Sequence, residues 1–119
     1  MKNNLIEEKS FKFSIFIIQL YRDLIENKNE FILSKQLLKS GTSIGANVKE
    51  ALRGQSKRDF LSKMNISLKE ANECEYWIKL LVETGYLQYD TGNLALNQCN
   101  ELCRILNSIV KTTRKSINE

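Results

Sequence analysis

Residues 56–85 read SKRDFLSKMNISLKEANECEYWIKLLVETG, and this stretch decides the fold. Ser56 followed three residues later by Asp59 is a capping-box start, in which a short side chain takes the first free backbone donors of a helix. Leu61, Met64, Leu68, Ala71, Ile78 and Val82 then recur at steps that lay an apolar seam along one helical face. Gly85 stands where a helix of this register needs a left-handed residue to stop. The spacing predicts a helix from the Ser56 cap to about Thr84. A rod that long with one apolar seam is stable only against partners along its length.

The flanking sequence supplies the partners. Upstream, residues 30–54 carry Leu37, Gly41, Ile44, Val48 and Ala51 on a heptad-like seam. Gly41 and Gly45 lie four apart, hence on one face. Either they form a small-residue strip that admits another backbone, or residues 40–43 are a turn that splits the segment. Further upstream, residues 10–26 place Phe13, Phe16, Ile17, Leu20 and Leu24 on one stripe, with Ile15, Ile18 and Ile25 off it. A helix apolar on more than one side is central or faces another subunit. Asn27, Lys28 and Asn29 read as the tight connection between these two. Downstream, residues 86–92 read as a loop with Thr91 and Asn93 as turn residues. A last helix over residues 94–115 sets Cys99, Leu102, Cys103, Leu106, Ile109, Val110 and Thr113 on one side. Its Arg104, Lys111, Arg114 and Lys115 complement the C-terminal dipole. Short connections between long helices make sequential helices antiparallel neighbours, so the expected fold is an all-α, up-down-up-down four-helix bundle in one domain over residues 1–119.

The chain has 119 residues, of which 42% are hydrophobic, with 18 Lys and Arg against 14 Asp and Glu for a net charge of +4. It has no His, which removes the commonest general base and zinc ligand. It has no Pro, so nothing forbids long helices. Cys74, Cys99 and Cys103 are an odd number, which argues against a disulfide framework and for a reducing cytoplasm. The longest apolar run, Ile15 to Ile18, is far short of a membrane span. Lys2 soon followed by Glu7 and Glu8 does not read as a signal peptide. The expectation is a cytoplasmic protein.

Two long motifs carry a family resemblance: LSKQLLKSGTSIGANV at residues 33–48 and KEANECEYWIKLL at residues 69–81, with SKRDF at 56–60 between them. Together they resemble the 23S rRNA intervening-sequence proteins, bacterial proteins encoded within insertions in rRNA genes and elsewhere in genomes. The similarity covers nearly the whole chain and is weakest over residues 86–96. It implies an all-α bundle and a ring-like homo-oligomer, a pentamer. It also implies kinship in fold with the accessory protein of diversity-generating retroelements, which binds nucleic acid and a reverse transcriptase. It supplies no settled activity, because fold does not dictate function.

Catalysis finds little support in the residues. Glu70, Glu73, Glu75 and Asp59 are the acidic cluster that a metal-dependent nuclease would need, but Lys69 and Lys79 share their helix and Glu75–Lys79 is a favourable i, i+4 pair. Glu75 occupies a seam position between Ala71 and Ile78, where a carboxylate demands a partner: Arg22, Lys49 or Asn47. Asn47 and Glu75 are therefore the expected structural polar contacts. Cys99 and Cys103 lie one turn apart, yet the chain lacks a closed tetrahedral ligand set, and small buried hydrophobes are the better reading. No nucleophile elbow and no phosphate-cradling glycine loop occurs. The expectation is a protein that is not an enzyme and needs no cofactor or metal.

The cations are more telling. Lys35, Lys39, Lys49, Arg53, Lys57 and Arg58 run along the second helix and the turn after it, continued by Lys63, against only Glu50 and Asp59. That local excess suits a phosphate backbone read by charge and shape rather than by sequence, and repetition around a ring multiplies it. The alternative is a protein–protein adaptor whose charge serves solubility. Trp77, off the main seam beside Tyr76, reads as a subunit-interface anchor or as a stacking platform for bases.

Overall fold

The computed structural model describes the backbone of residues 2–118 and the side chains of residues 5–118. Four helices follow in order: α1 (Lys2–Asn27), α2 (Leu33–Leu52), α3 (Lys57–Glu83) and α4 (Tyr89–Asn118). The body measures 50 × 21 × 20 Å, so rods of this length lie side by side. Each helix packs on its chain neighbours, and α1 with α4 closes the bundle.

Pairs across the seams fix the directions. Gly41 of α2 faces Ile17 of α1, and Gly45 faces Ser10. Ser67 Oγ of α3 donates to the Ile44 carbonyl at 2.8 Å, and Lys63 reaches Glu50 further along α2. Cys99 Sγ of α4 donates to the Ala71 carbonyl at 3.2 Å, and Lys57 reaches Ser116. Lys9 of α1 pairs with Glu101 of α4 at 3.1 Å. In each sequential pair the numbers run in opposite senses, which is the expected up-down-up-down order.

The seams form one core. Ile6, Ser10, Phe13, Ile17, Leu20 and Leu24 are the buried row of α1. This row explains why α1 begins eight residues before the expected residue 10: Ser10 is a buried seam residue whose hydroxyl donates back to the Glu7 carbonyl. A serine at a core position hides the periodicity. On α2, Leu37, Gly41, Ile44, Val48 and Ala51 are buried in one uninterrupted helix, which settles the open question at residues 40–43. A Cβ on Gly41 would lie 2.8 Å from Ile17 Cγ1 and Cγ2. The glycine therefore lets α1 and α2 approach closely, as the small-residue strip required.

Each connection has its own chemistry. Asn29 adopts φ +54°, a left-handed value that asparagine tolerates. Buried Glu30 then caps α2, its carboxylate accepting from the backbone N–H of Ser34 at 2.6 Å and of Ile32 at 3.2 Å. The helix thus starts at Leu33 rather than at residue 30. Ser56 Oγ accepts from Asp59 N–H at 3.0 Å, as its spacing implied. Gly85, at φ +85°, ends α3 with paired bonds from Tyr86 N–H to the Leu81 carbonyl and from Gly85 N–H to the Val82 carbonyl, a Schellman closure.

One expectation fails here. Residues 89–92 are the first turn of α4, not the end of a loop, and Gly92 N–H donates to the Gln88 carbonyl at 2.8 Å. Gly92 is buried against Val82. The glycine serves close helix packing there, which overrides its turn preference.

Candidate nucleic-acid interface

Lys35, Lys39 and Lys49 lie on the exposed outward side of α2 and Arg53 is exposed at its C-cap, but they do not act as one row. Lys49 turns toward α1 and pairs with Glu7 at 3.2 Å. Lys39 turns toward α3, close enough to Glu70 to pull its carboxyl down. Burial nevertheless raises that carboxyl above its ordinary value, and Glu73 beside it raises it further. Lys57 Nζ donates to Ser116 Oγ at 2.7 Å, tying the start of α3 to the end of α4. Lys63 pairs with Glu50 at 3.4 Å. Lys35, Arg53 and Arg58 remain exposed and form no salt bridge among the described residues.

A second set of cations was read in the sequence only as dipole complement. Arg104, Lys111, Arg114 and Lys115 are all exposed on α4, at spacings that keep them on one side. None forms a salt bridge among the described residues. No Asp or Glu lies between Glu101 and Glu119. Their spacing and the missing acids were the available signal.

The acids do not converge. Glu75 is not a core residue: Ala71, Cys74 and Ile78 occupy the seam, and Glu75 sits at its partly exposed edge, 3.7 Å from Lys79. Asn47 Nδ2 donates at 2.8 Å to the Ser43 carbonyl of its own helix. Lys49 and Asn47 miss Glu75 because the antiparallel register sets it level with the opposite end of α2, and Arg22 misses it because, among the described residues, α1 does not pack on α3. Glu73 accepts from Trp77 Nε1 at 3.2 Å, which pins the half-buried indole against Tyr76, with ring centroids 5.0 Å apart and nearly perpendicular. Among the described residues no group of His, Cys, Asp or Glu could hold a metal ion. Cys74 and Cys99 are fully buried, and Cys103 is half-buried with its thiol 3.6 Å from Asn72 Oδ1. Among the described residues no helix is long and apolar enough to cross a membrane.

Of the off-stripe residues of α1, Ile15 and Ile18 stay uncovered while Ile25 is half-buried. Phe11 is 66% exposed, and Leu5, Ile15 and Ile18 are also exposed. Beside them lies a groove of about 690 Å³ between α1 and α2, walled by Phe11 and Ile18 on one side and by Thr42, Gly45 and Ala46 on the other.

Comparison with known proteins agrees with this architecture. No curated protein matches the chain. A crystal structure of a protein of unknown function from the S23 ribosomal protein family of Bacteroides thetaiotaomicron superposes with a TM-score of 0.92 at 47% identity, covering 93% of this chain and 99% of that one. The model of the 23S rRNA-intervening sequence protein family matches residues 2–108. With four helices in place and the match spanning nearly all of them, the chain belongs to the 23S rRNA-intervening sequence protein family.

Proposed function

We propose that this protein is a non-catalytic, cytoplasmic helical bundle that joins copies of itself through α1 and presents its cations to the phosphate backbone of RNA or DNA. The observation that carries the reading is the uncovered apolar face: Phe11, Ile15 and Ile18 beside a groove with a glycine in its wall. An apolar patch of this kind on a small chain marks a contact surface. A head-to-tail contact through it closes a ring when the rotation permits, and the family resemblance points to five copies. Each added copy repeats the chain's net charge of +4, so modest attraction to a polyanion becomes strong through multivalency.

Light scattering on the parent and on Phe11→Glu tests the assembly. The parent gives a multiple of 13.8 kDa, and the variant falls toward a single copy. A parent that stays at the mass of one chain ends the reading. Gel-shift titration with RNA and DNA at two salt concentrations tests the cargo, and binding weakens steeply with salt.

A protein–protein adaptor is the second reading. It is favoured by Lys49 and Lys63, two of the expected cations, already being satisfied by Glu7 and Glu50. An adaptor shows no salt-sensitive binding to nucleic acid.

A further inference from the structure

The register of α3 against α4 gathers residues that are far apart in sequence. It is pinned by Lys57 on Ser116 at one end, Asn72 beside Cys103 in the middle and Val82 over Gly92 at the other. Arg58 therefore stands level with Lys115, and Lys69 stands within a turn of Arg104. On α3, Arg58, Lys69 and Tyr76 recur at spacings that share one outward side, and all are exposed. On α4, Arg104, Lys111 and Lys115 form a second exposed row on its outward side. The nearest carboxylates on α3 are Glu75, paired with Lys79, and Glu73, which accepts from the neutral Trp77 indole and keeps its charge. The five cations still outnumber these two acids, whereas beside α2 Glu7 and Glu50 each hold a lysine.

Tyr76 adds a different chemistry at one end of the row. It is 58% exposed, and its ring meets the fixed Trp77 edge-on. An aromatic ring held rigidly beside a line of cations suits an unpaired base, which needs a flat partner, more than a duplex, whose bases are hidden. From Arg58 to Tyr76 the helix rises about 27 Å, enough for several nucleotides of one strand.

We infer that the α3–α4 face is the nucleic-acid track: a single strand lies along it with its phosphates on Arg58, Lys69, Arg104, Lys111 and Lys115 and a base stacked on Tyr76. This rests on the proposed nucleic-acid function and assigns it to a face that the α2 cations do not share. Recognition is by charge and stacking, so RNA and DNA strands both bind.

Fluorescence anisotropy with labelled oligo(U), oligo(dT) and a mixed-sequence DNA duplex tests the track. The full chain is compared with Lys111→Glu/Lys115→Glu, with Lys35→Glu/Arg53→Glu and with Tyr76→Ala and Tyr76→Phe, each checked for an unchanged helical spectrum. The α4 variant loses at least about tenfold in affinity for both single strands. Its slope of log affinity against log salt flattens by about 1.4, the share of two phosphates on a single strand. Tyr76→Ala loses about fivefold or more with its salt slope unchanged, and Tyr76→Phe keeps parental affinity. The α2 variant stays near the parent. Equal binding by the α4 variant and the parent, or a loss confined to the α2 variant, overturns the track while leaving nucleic-acid binding in place. Duplex preferred over both strands, with Tyr76→Ala silent, overturns the single-strand assignment. No binding of any probe by the parent removes the proposed function and the track with it.

Discussion

Gly92→Ala destabilises the parent protein and stabilises a Val82→Ala background. Gly92 is buried in the first turns of α4, and a Cβ built there falls well inside van der Waals contact of Val82 Cγ2. The other Val82 atoms raise no objection, with Cβ at 3.6 Å and Cγ1 at 3.8 Å. Valine has one strongly preferred rotamer in a helix, so its methyl cannot swing aside freely. Inserting a methyl into a filled site costs about 1–3 kcal/mol. Alanine in place of glycine returns up to about 1 kcal/mol of helix propensity. The net in the parent is a loss of about 1–2 kcal/mol. Val82→Ala removes Cγ2 and leaves Cβ at an ordinary distance, so only the propensity gain remains. Urea unfolding of the parent, both single variants and the double variant reads the sign reversal directly as a coupling of at least about 1 kcal/mol. Additive single effects refute the close approach of α3 and α4 at this point, and with it the register that aligns their cations.

Three further outcomes follow from particular contacts. Ser56→Ala removes the acceptor for Asp59 N–H and lowers stability by about 1 kcal/mol in the same urea assay; no change denies the cap. Burial and Glu73 raise the Glu70 carboxyl, and a carboxyl raised by folding contributes stability at low pH that is lost as pH rises. Glu70→Gln is therefore more stable than the parent at neutral pH, and the gap closes as pH falls through 4.5, the group's ordinary value; a gap constant with pH refutes this. The Cys103 thiol is pushed well up by its hydrogen bond with the Cys99 thiol and by burial, so iodoacetamide labels it at pH 8 more than about tenfold slower than free cysteine; labelling at the free rate shows an ionised, open thiol.

The legible part of the fold was its seams. Leu37 to Ala51 and Met64 to Ile78 keep their apolar spacing, and the Ser56 cap and Gly85 stop are local chemistry that tertiary contacts did not alter. The illegible parts are places where a residue serves a neighbour instead of its own segment. Ser10 is polar at a core position because its hydroxyl is satisfied by the Glu7 carbonyl, so the first turns of α1 look like a solvated tail. Gly92 looks like a turn because close packing and turning both need a missing side chain. Glu75 looks buried by count along the helix, but Cys74 takes the core position beside it. For the interface, adjacency in sequence exposed the α2 cations. Lys69 and Arg104 become neighbours only through the α3–α4 register, and no window along the chain contains both.

Electrostatics of the isolated bundle do not account for the α4 row. The negative end of a helix dipole favours cations within the last turn only, and that turn holds Lys115 alone. Lys111 lies beyond that reach, and Arg104 further still. Lys111 and Lys115 are an i, i+4 like-charge pair, and Arg114 crowds Lys111 at i, i+3, arrangements that weaken a helix by a few tenths of a kcal/mol each. Three other exposed lysines show the ordinary remedy: Lys12 has Glu8, Lys49 has Glu7 and Lys79 has Glu75. The α4 row lacks such acids, and Arg58 and Lys69 on the neighbouring helix add to the repulsion. A phosphate chain laid between the two helices turns each of these repulsions into an attraction and releases counterions as it binds. The same imbalance makes the free protein sensitive to ionic strength: added salt raises its melting temperature, and Lys111→Glu/Lys115→Glu abolishes that rise.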